Sequence, residues 1–183
     1  MIFSLQGPNY TRVASPVNLE REAREFLRLH GGIVESGFLA TIVLDRTPGA
    51  ESIAVLLLDS DRTRGWVIEM DTFGVPASFR KAGRADLELP VASERDMPLV
   101  LLVRLDGTTV PLESLDRSAR SFLKGREPTF ETRGKPRVIR IFFENEAQDS
   151  VKYMEPGTTR GMAVRFDRDG TPVAHQADEW EPD

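Results

Sequence analysis

Two carboxylates stand at the end of one of the two longest apolar runs in the chain. Leu56–Leu57–Leu58–Asp59–Ser60–Asp61–Arg62–Thr63 continues the run that begins at Ile53. An i, i+2 pair at a strand tip projects both side chains to the same side. Two carboxylates leaving a strand tip together could act on one ligand. The same residues also make a polar hairpin turn, Asp-Ser-Asp-Arg-Thr-Arg-Gly, between Ile53–Leu58 and Trp66–Met70. The chain resumes strand character at Trp66, only three residues after Thr63, which favours the hairpin.

The D-x-D-x-T order after an apolar strand resembles the local pattern of haloacid-dehalogenase-type phosphatases. That resemblance implies Asp59 as the nucleophile that attacks phosphorus, Asp61 as the acid that handles the leaving-group proton, and Mg²⁺ offsetting the phosphate charge. It covers eight residues, and no Gly-Asp-x-x-x-Asp motif follows a later strand. Other acidic groupings carry less chemistry. Asp59 and Asp61 are separated from Glu69 and Asp71 by the length of a strand, too far for one metal ion. Asp167–Arg168–Asp169–Gly170 opens like a calcium loop but lacks the third oxygen ligand and the later glutamate, which leaves a turn. Of the two histidines, His30 falls at a helix C-terminus and His175 near the chain's end. No Gly-x-Ser-x-Gly elbow, Walker A loop or dinucleotide fingerprint is present. No cofactor and no metal site is expected.

The cations are unevenly distributed. Between Arg117 and Arg140 lie eight basic residues against two acids, whereas Ile141–Asp183 holds ten acids against four basic residues. Arg117, Arg120, Lys124, Arg137 and Arg140 are therefore candidates for nucleic-acid or phosphate contact. Lys135, Arg137, Arg140, Phe142, Phe143, Lys152 and Tyr153 have the types of a single-strand stacking platform. Alternation splits them, with Arg137 on the face of Ile139 and Ile141 and Arg140 on that of Val138 and Phe142. In the acidic tail, Trp180 is a candidate anchor for a protein partner.

Composition sets the frame. The chain has 183 residues, 40% hydrophobic and 29% charged, with a net charge of −5. That is the balance of a globular protein able to build a core without staples. The absence of cysteine excludes disulfides, thiolate metal sites and cysteine nucleophiles. No run approaches the about 20 apolar residues of a membrane helix, and the amino terminus has no signal-peptide pattern. A cytoplasmic protein with no membrane association is expected, and the excess of arginine over lysine points to a GC-rich bacterial genome.

The elements that must position these residues follow from periodicity. Leu19, Ala23, Phe26, Leu27 and His30 form one helical stripe, capped by Ser15 or else Asn18 and stopped at Gly31–Gly32. Leu112, Leu115, Ala119, Phe122 and Leu123 form another. Strands are predicted at Gly37–Leu44, Ile53–Leu58, Trp66–Met70, Leu87–Val91, Leu99–Leu105, Val138–Phe143, Val151–Met154, Met162–Phe166 and Pro172–Ala174, with a helical turn near Ala77–Lys81. No internal repeat is evident. These elements predict a single α+β domain over 1–175 with a flexible acidic tail over 176–183. The sheet is mainly antiparallel, of about seven to nine strands, with two main helices, Ser15–His30 and Leu112–Lys124. The expected function is a non-catalytic binding module acting through protein–protein contact, self-association through an open sheet edge included. The alternatives are a Mg²⁺-dependent phosphohydrolase using Asp59 and Asp61, and a nucleic-acid-associated protein using residues 117–140.

Overall fold

A computed structural model describes residues 1–7, 10–92, 97–134, 136–142 and 149–179. The chain divides into two compact units. One is continuous, Ala14–Pro111, and is termed the inner unit. The other, Met1–Val13 with Leu112–Asp183, is the outer unit. Each holds a six-stranded sheet and one 14-residue helix. The expected single sheet of seven to nine strands is thus corrected to two sheets of six. Mixed α+β character and a mainly antiparallel arrangement hold. Among the described residues no helix is long and apolar enough to cross a membrane.

The inner unit comprises α1 (Pro16–Leu29), a meander β3 (Leu39–Asp45), β4 (Ser52–Leu58), β5 (Gly65–Met70) and β6 (Pro76–Lys81), a short α2 (Arg84–Leu87), and the hairpin β7 (Leu99–Val103) and β8 (Thr109–Pro111). Its sheet order is β6-β5-β4-β3-β7-β8, with β3 and β7 parallel. The Ser15 hydroxyl accepts from the Asn18 amide at 3.1 Å, and His30 is the C-cap. Leu19, Ala23 and Leu27 are buried on the sheet face that carries Ile42, Val55 and Ile68. On the opposite face Val43, Leu56, Leu58 and Val67 are covered by Ala82, Leu87, Leu89 and Val91. The alternation over Leu87–Val91 is real, but it belongs to chain laid across a sheet and not to a strand. Thr41 fixes this cover by donating to Pro90 O at 3.0 Å. Conversely Ala77–Lys81, expected as a helical turn, is strand β6, because register with β5 outweighs its mixed local preference.

The outer unit comprises β1 (Phe3–Gly7), β2 (Tyr10–Ala14), α3 (Glu113–Arg126), and a meander β9 (Val138–Phe142), β10 (Asp149–Met154), β11 (Arg160–Phe166) and β12 (Pro172–Glu179). Its sheet order is β12-β11-β10-β9-β1-β2, with β1 and β9 parallel. Phe3, Leu5, Ile139, Ile141, Val151, Tyr153, Met162, Val164 and Phe166 are buried on the face that takes Leu115, Ala119 and Leu123 of α3. The first four residues of the expected tail, Gln176–Glu179, lie in β12; residues 180–183 lie outside the described residues.

The element orders coincide. Hairpin, helix and four-stranded meander occur as β1-β2-α1-β3-β4-β5-β6 and again as β7-β8-α3-β9-β10-β11-β12. The chain therefore contains two copies of one ββαββββ repeat, which corrects the expectation of no internal repeat. The sequence carries it too. Leu19, Arg21, Ala23, Arg24, Phe26 and Leu27 recur 96 positions later as Leu115, Arg117, Ala119, Arg120, Phe122 and Leu123. Thr63, Arg64, Gly65, Asp71, Gly74 and Pro76 recur at the same interval as Thr159, Arg160, Gly161, Asp167, Gly170 and Pro172. The repeats have exchanged their hairpins: β7-β8 completes the sheet begun by β3, and β1-β2 completes that begun by β9.

The recurring residues do recurring work. Asp71 Oδ1 accepts from the Phe73 and Val75 amides at 2.9 and 2.8 Å, and Asp167 Oδ1 from the Asp169 and Thr171 amides at 3.0 and 2.8 Å. Gly74 and Gly170 take the positive φ those turns require, 70° and 75°. Arg24 binds Glu20 at 2.8 Å and Phe38 O at 2.7 Å, tying α1 to the start of β3. Its counterpart Arg120 binds Asp116 at 2.9 Å and the carbonyls of Thr132 and Gly134, tying α3 to the approach to β9. Glu20 lies beyond the first turn of α1 and serves this clasp.

Candidate functional site

Asp59 and Asp61 occupy the turn between antiparallel β4 and β5. Asp59 Oδ1 accepts from the Thr63 and Arg64 amides at 2.7 and 3.3 Å, and Oδ2 from the Thr63 hydroxyl at 2.7 Å. Arg64 Nε stands 3.4 Å from Oδ2. Desolvation pushes the Asp59 carboxyl up, but the Thr63 hydroxyl, the two amides and the Arg64 charge together bring it below its ordinary value. Both oxygens are thus committed to closing the hairpin, and Asp61 is exposed at its tip. The repeat supports the same assignment. Glu155, 96 positions on, heads the β10–β11 turn with matching backbone bonds, Glu155 N to Arg160 O at 3.0 Å against Asp59 N to Arg64 O at 3.1 Å. Glycine replaces Asp61 there, at Gly157. In open α/β sheets ligand sites lie at the carboxyl ends of parallel strands, whereas this pair lies at the turn of an antiparallel hairpin. Among the described residues no group of three acidic or histidine side chains could hold a metal ion.

The candidate cations do not share one surface. Arg120 is held by the clasp and stacks on Tyr153, its guanidinium carbon 5.0 Å from the ring centroid. The Tyr153 hydroxyl donates to Asp116 Oδ1 at 2.6 Å; burial, reinforced by that bond, pushes the phenol well above its usual range. Lys124 is exposed in the last turn of α3, where a cation complements the helix dipole. It borders an open pocket of about 310 Å³ that Arg120, Ser121, Glu127 and Phe130 also line. Arg117 and Arg137 are exposed. Arg140 pairs in register with Ser4 and Ser150 and projects from the sheet face opposite α3. Arg140 therefore stands on the sheet face opposite the helix cations. Trp180 lies outside the described residues.

One location has diverged between the repeats, where the helix ends over the last meander strand. In the outer unit Phe122 meets His175 edge-on at 5.9 Å, Arg126 covers Phe122 at 3.7 Å, and His175 Nε2 lies 3.1 Å from Glu127 Oε1. In the inner unit the equivalent positions are Phe26, Phe79 and His30. Phe26 meets Phe79 edge-on at 6.2 Å and stacks on His30 at 4.2 Å, while Trp66 adds a further edge contact to Phe79 at 5.7 Å. Trp66 Nε1 donates to Ile33 O at 3.0 Å, bringing Ile33 alongside. Ile33 is 72% and Leu29 65% exposed, the most exposed large apolar side chains among the described residues. Together they form an apolar patch beside β6, an edge strand with no described strand on its outer side. Sequence periodicity places Phe26 and Trp66 in the core and assigns no role to Leu29 or Ile33. The patch depends on Trp66 and Phe79 being adjacent through the β5–β6 register, which the sequence does not display.

No family model, curated protein or solved structure matches this chain.

Proposed function

We propose that this protein is a non-catalytic interaction module that binds another protein through the inner unit. The carrying observation is the patch of Leu29, Ile33, Phe26, Trp66 and Phe79 beside the open edge of β6. Exposed apolar clusters of this kind, rich in aromatic residues, mark contact surfaces. A free strand edge supplies backbone donors and acceptors for an added strand. Lys81 on β6 and Arg28 on α1 are exposed near the patch and have no ion pair among the described residues. The partner that fits is an extended acidic segment of another protein carrying an apolar side chain. The commitment of Asp59 to its own turn supports a binding role over hydrolysis.

The test compares complexes isolated on the wild-type protein and on a Leu29→Asp/Ile33→Asp variant. Both positions are exposed, so the variant keeps its fold. A stoichiometric partner that is lost with the variant, and whose binding protects the β6 amides from hydrogen exchange, supports the proposal. Equal recovery by both proteins, or protection elsewhere, overturns it. Mg²⁺-dependent turnover of a phosphate ester that disappears in Asp59→Asn would replace it with the enzyme.

A further inference from the structure

The far face of the outer sheet, opposite α3, offers a second and independent site. One cross-strand row on this face reads Ser4, Arg140, Ser150, Arg165 and Ala174, each in register with the next across β1, β9, β10, β11 and β12. The equivalent row of the inner sheet reads Leu101, Val43, Ala54, Glu69 and Ser78. One row along, Leu56 of the inner sheet corresponds to Lys152. At one place on one face, two leucines and a valine have become serine, lysine and arginine, and a glutamate has become arginine. Sheet architecture does not demand this, because the inner sheet satisfies the same topology with apolar residues.

The basic side chains of these two rows differ in their partners. Lys152 is almost wholly buried and paired with Asp178. Arg140 and Arg165 are half-buried, and neither has an ion pair among the described residues. The Nε of each is buried without a hydrogen-bond partner. A buried donor left unsatisfied is costly, more so on a charged group. The two arginines stand two strands apart, about 9.6 Å between backbones, with the buried Ser150 between them. Two guanidinium groups at that spacing can converge on one tetrahedral anion seated over Ser150.

We propose that Arg140 and Arg165 bind a phosphate group over Ser150, and that the ligand is free phosphate or a small phosphate monoester. The half-buried setting of both arginines favours a compact anion over a nucleic-acid backbone, and the chain's net charge of −5 works against a polyanion. The site is independent of the protein-contact patch of the inner unit.

The experiment is titration of the full chain with inorganic phosphate and with phenyl phosphate, followed by calorimetry and by NMR of the arginine Nε–H groups. A single-stranded oligonucleotide forms a separate arm. The Nε–H signals of Arg140 and Arg165 shift on phosphate addition, and binding weakens as salt rises. Arg140→Ala weakens binding about tenfold, the usual consequence of losing one charge-assisted contact. Arg165→Glu, which installs the residue of the other repeat, weakens it by about a hundredfold or more, and Lys124→Ala on the opposite face leaves it unchanged. If the wild-type Nε–H signals stay still at millimolar phosphate, the site does not exist, whatever the variants do. Equal affinity of wild type and Arg165→Glu overturns the proposal. So does an oligonucleotide that binds more tightly than phenyl phosphate through these arginines.

Discussion

The two repeats place the same helix over the same meander, yet their sheets treat the opposite face differently. The inner sheet puts Val43, Leu56, Leu58 and Val67 there and covers them with the segment that carries Leu87, Leu89 and Val91. The outer sheet puts Arg140 and Lys152 where the inner has Val43 and Leu56, puts Arg165 where it has Glu69, and keeps apolar Met154 and Ala163 at the places of Leu58 and Val67. What the copies share is spent on architecture: the arginine clasp, the aspartate-closed turn, and the crowded glycine at the start of β5 and of β11. What they do not share is where individual chemistry resides. One chain thus supplies its own internal control, with every shared residue having a counterpart on which the same assignment can be checked.

The comparison is most severely tested at the crowded glycines. A Cβ on Gly65 would come within 2.3 Å of Leu57 O, and one on Gly161 within 2.4 Å of Asp178 O. Alanine at either position forces backbone apart and destabilises by about 3 kcal/mol in urea unfolding; a loss at only one would show that the repeats are not structurally equivalent there. Arg120→Ala removes a carboxylate contact, two carbonyl contacts and a ring contact, and costs about 3 kcal/mol. Arg24→Ala, with one carboxylate and one carbonyl contact, costs about 2 kcal/mol. Reversal of that order would break the clasp assignment. Asp71→Ala and Asp167→Ala each cost about 1 kcal/mol, the usual value for a lost turn acceptor; unequal losses would distinguish the two turns.

The smallest expected effect concerns acid. The hydrogen bond from Arg80 is the main influence lowering the Asp86 carboxyl below its ordinary value of 3.8, with the Gly83 amide assisting against desolvation. Stability from this pair is complete above the unfolded value and is lost as pH falls through the lower, folded value. Asp86→Asn therefore flattens the acid limb of the stability–pH curve below about pH 4 and leaves its neutral shape unchanged. An unchanged acid limb would remove Asp86 from the account.

Much of this was legible in the chain before folding. Both long helices are announced by apolar stripes, and the turn at Asp59 by its polar run and by the early return of strand character at Trp66. The repeat escaped the reading by periodicity. Its signal lies in dispersed residues, Leu19/Leu115 through Pro76/Pro172, while the strands between have diverged as far as Leu56 and Lys152, so hydrophobic patterning conceals it. β6 was not legible, because Pro-Ala-Ser-Phe-Arg-Lys has no alternation and becomes a strand only through its neighbour. Arg140 could be assigned to a face by alternation alone. Its meeting with Ser150 and Arg165 required the register of three strands, which pairing determines and no single segment encodes.

The exchanged hairpins bear on how the chain must be made. β3 gains its parallel neighbour only when residue 99 and beyond have been synthesised, and β1 waits for β9, whose paired residues begin at Ile139. Neither sheet can close during synthesis of the first half, and the sequence separation of β1 from β9 is among the costliest loops a chain of this length can form. Folding is therefore expected to be slow and effectively post-translational. An interrupted chain would expose the flank of β3, a buried strand turned into an aggregation-prone edge.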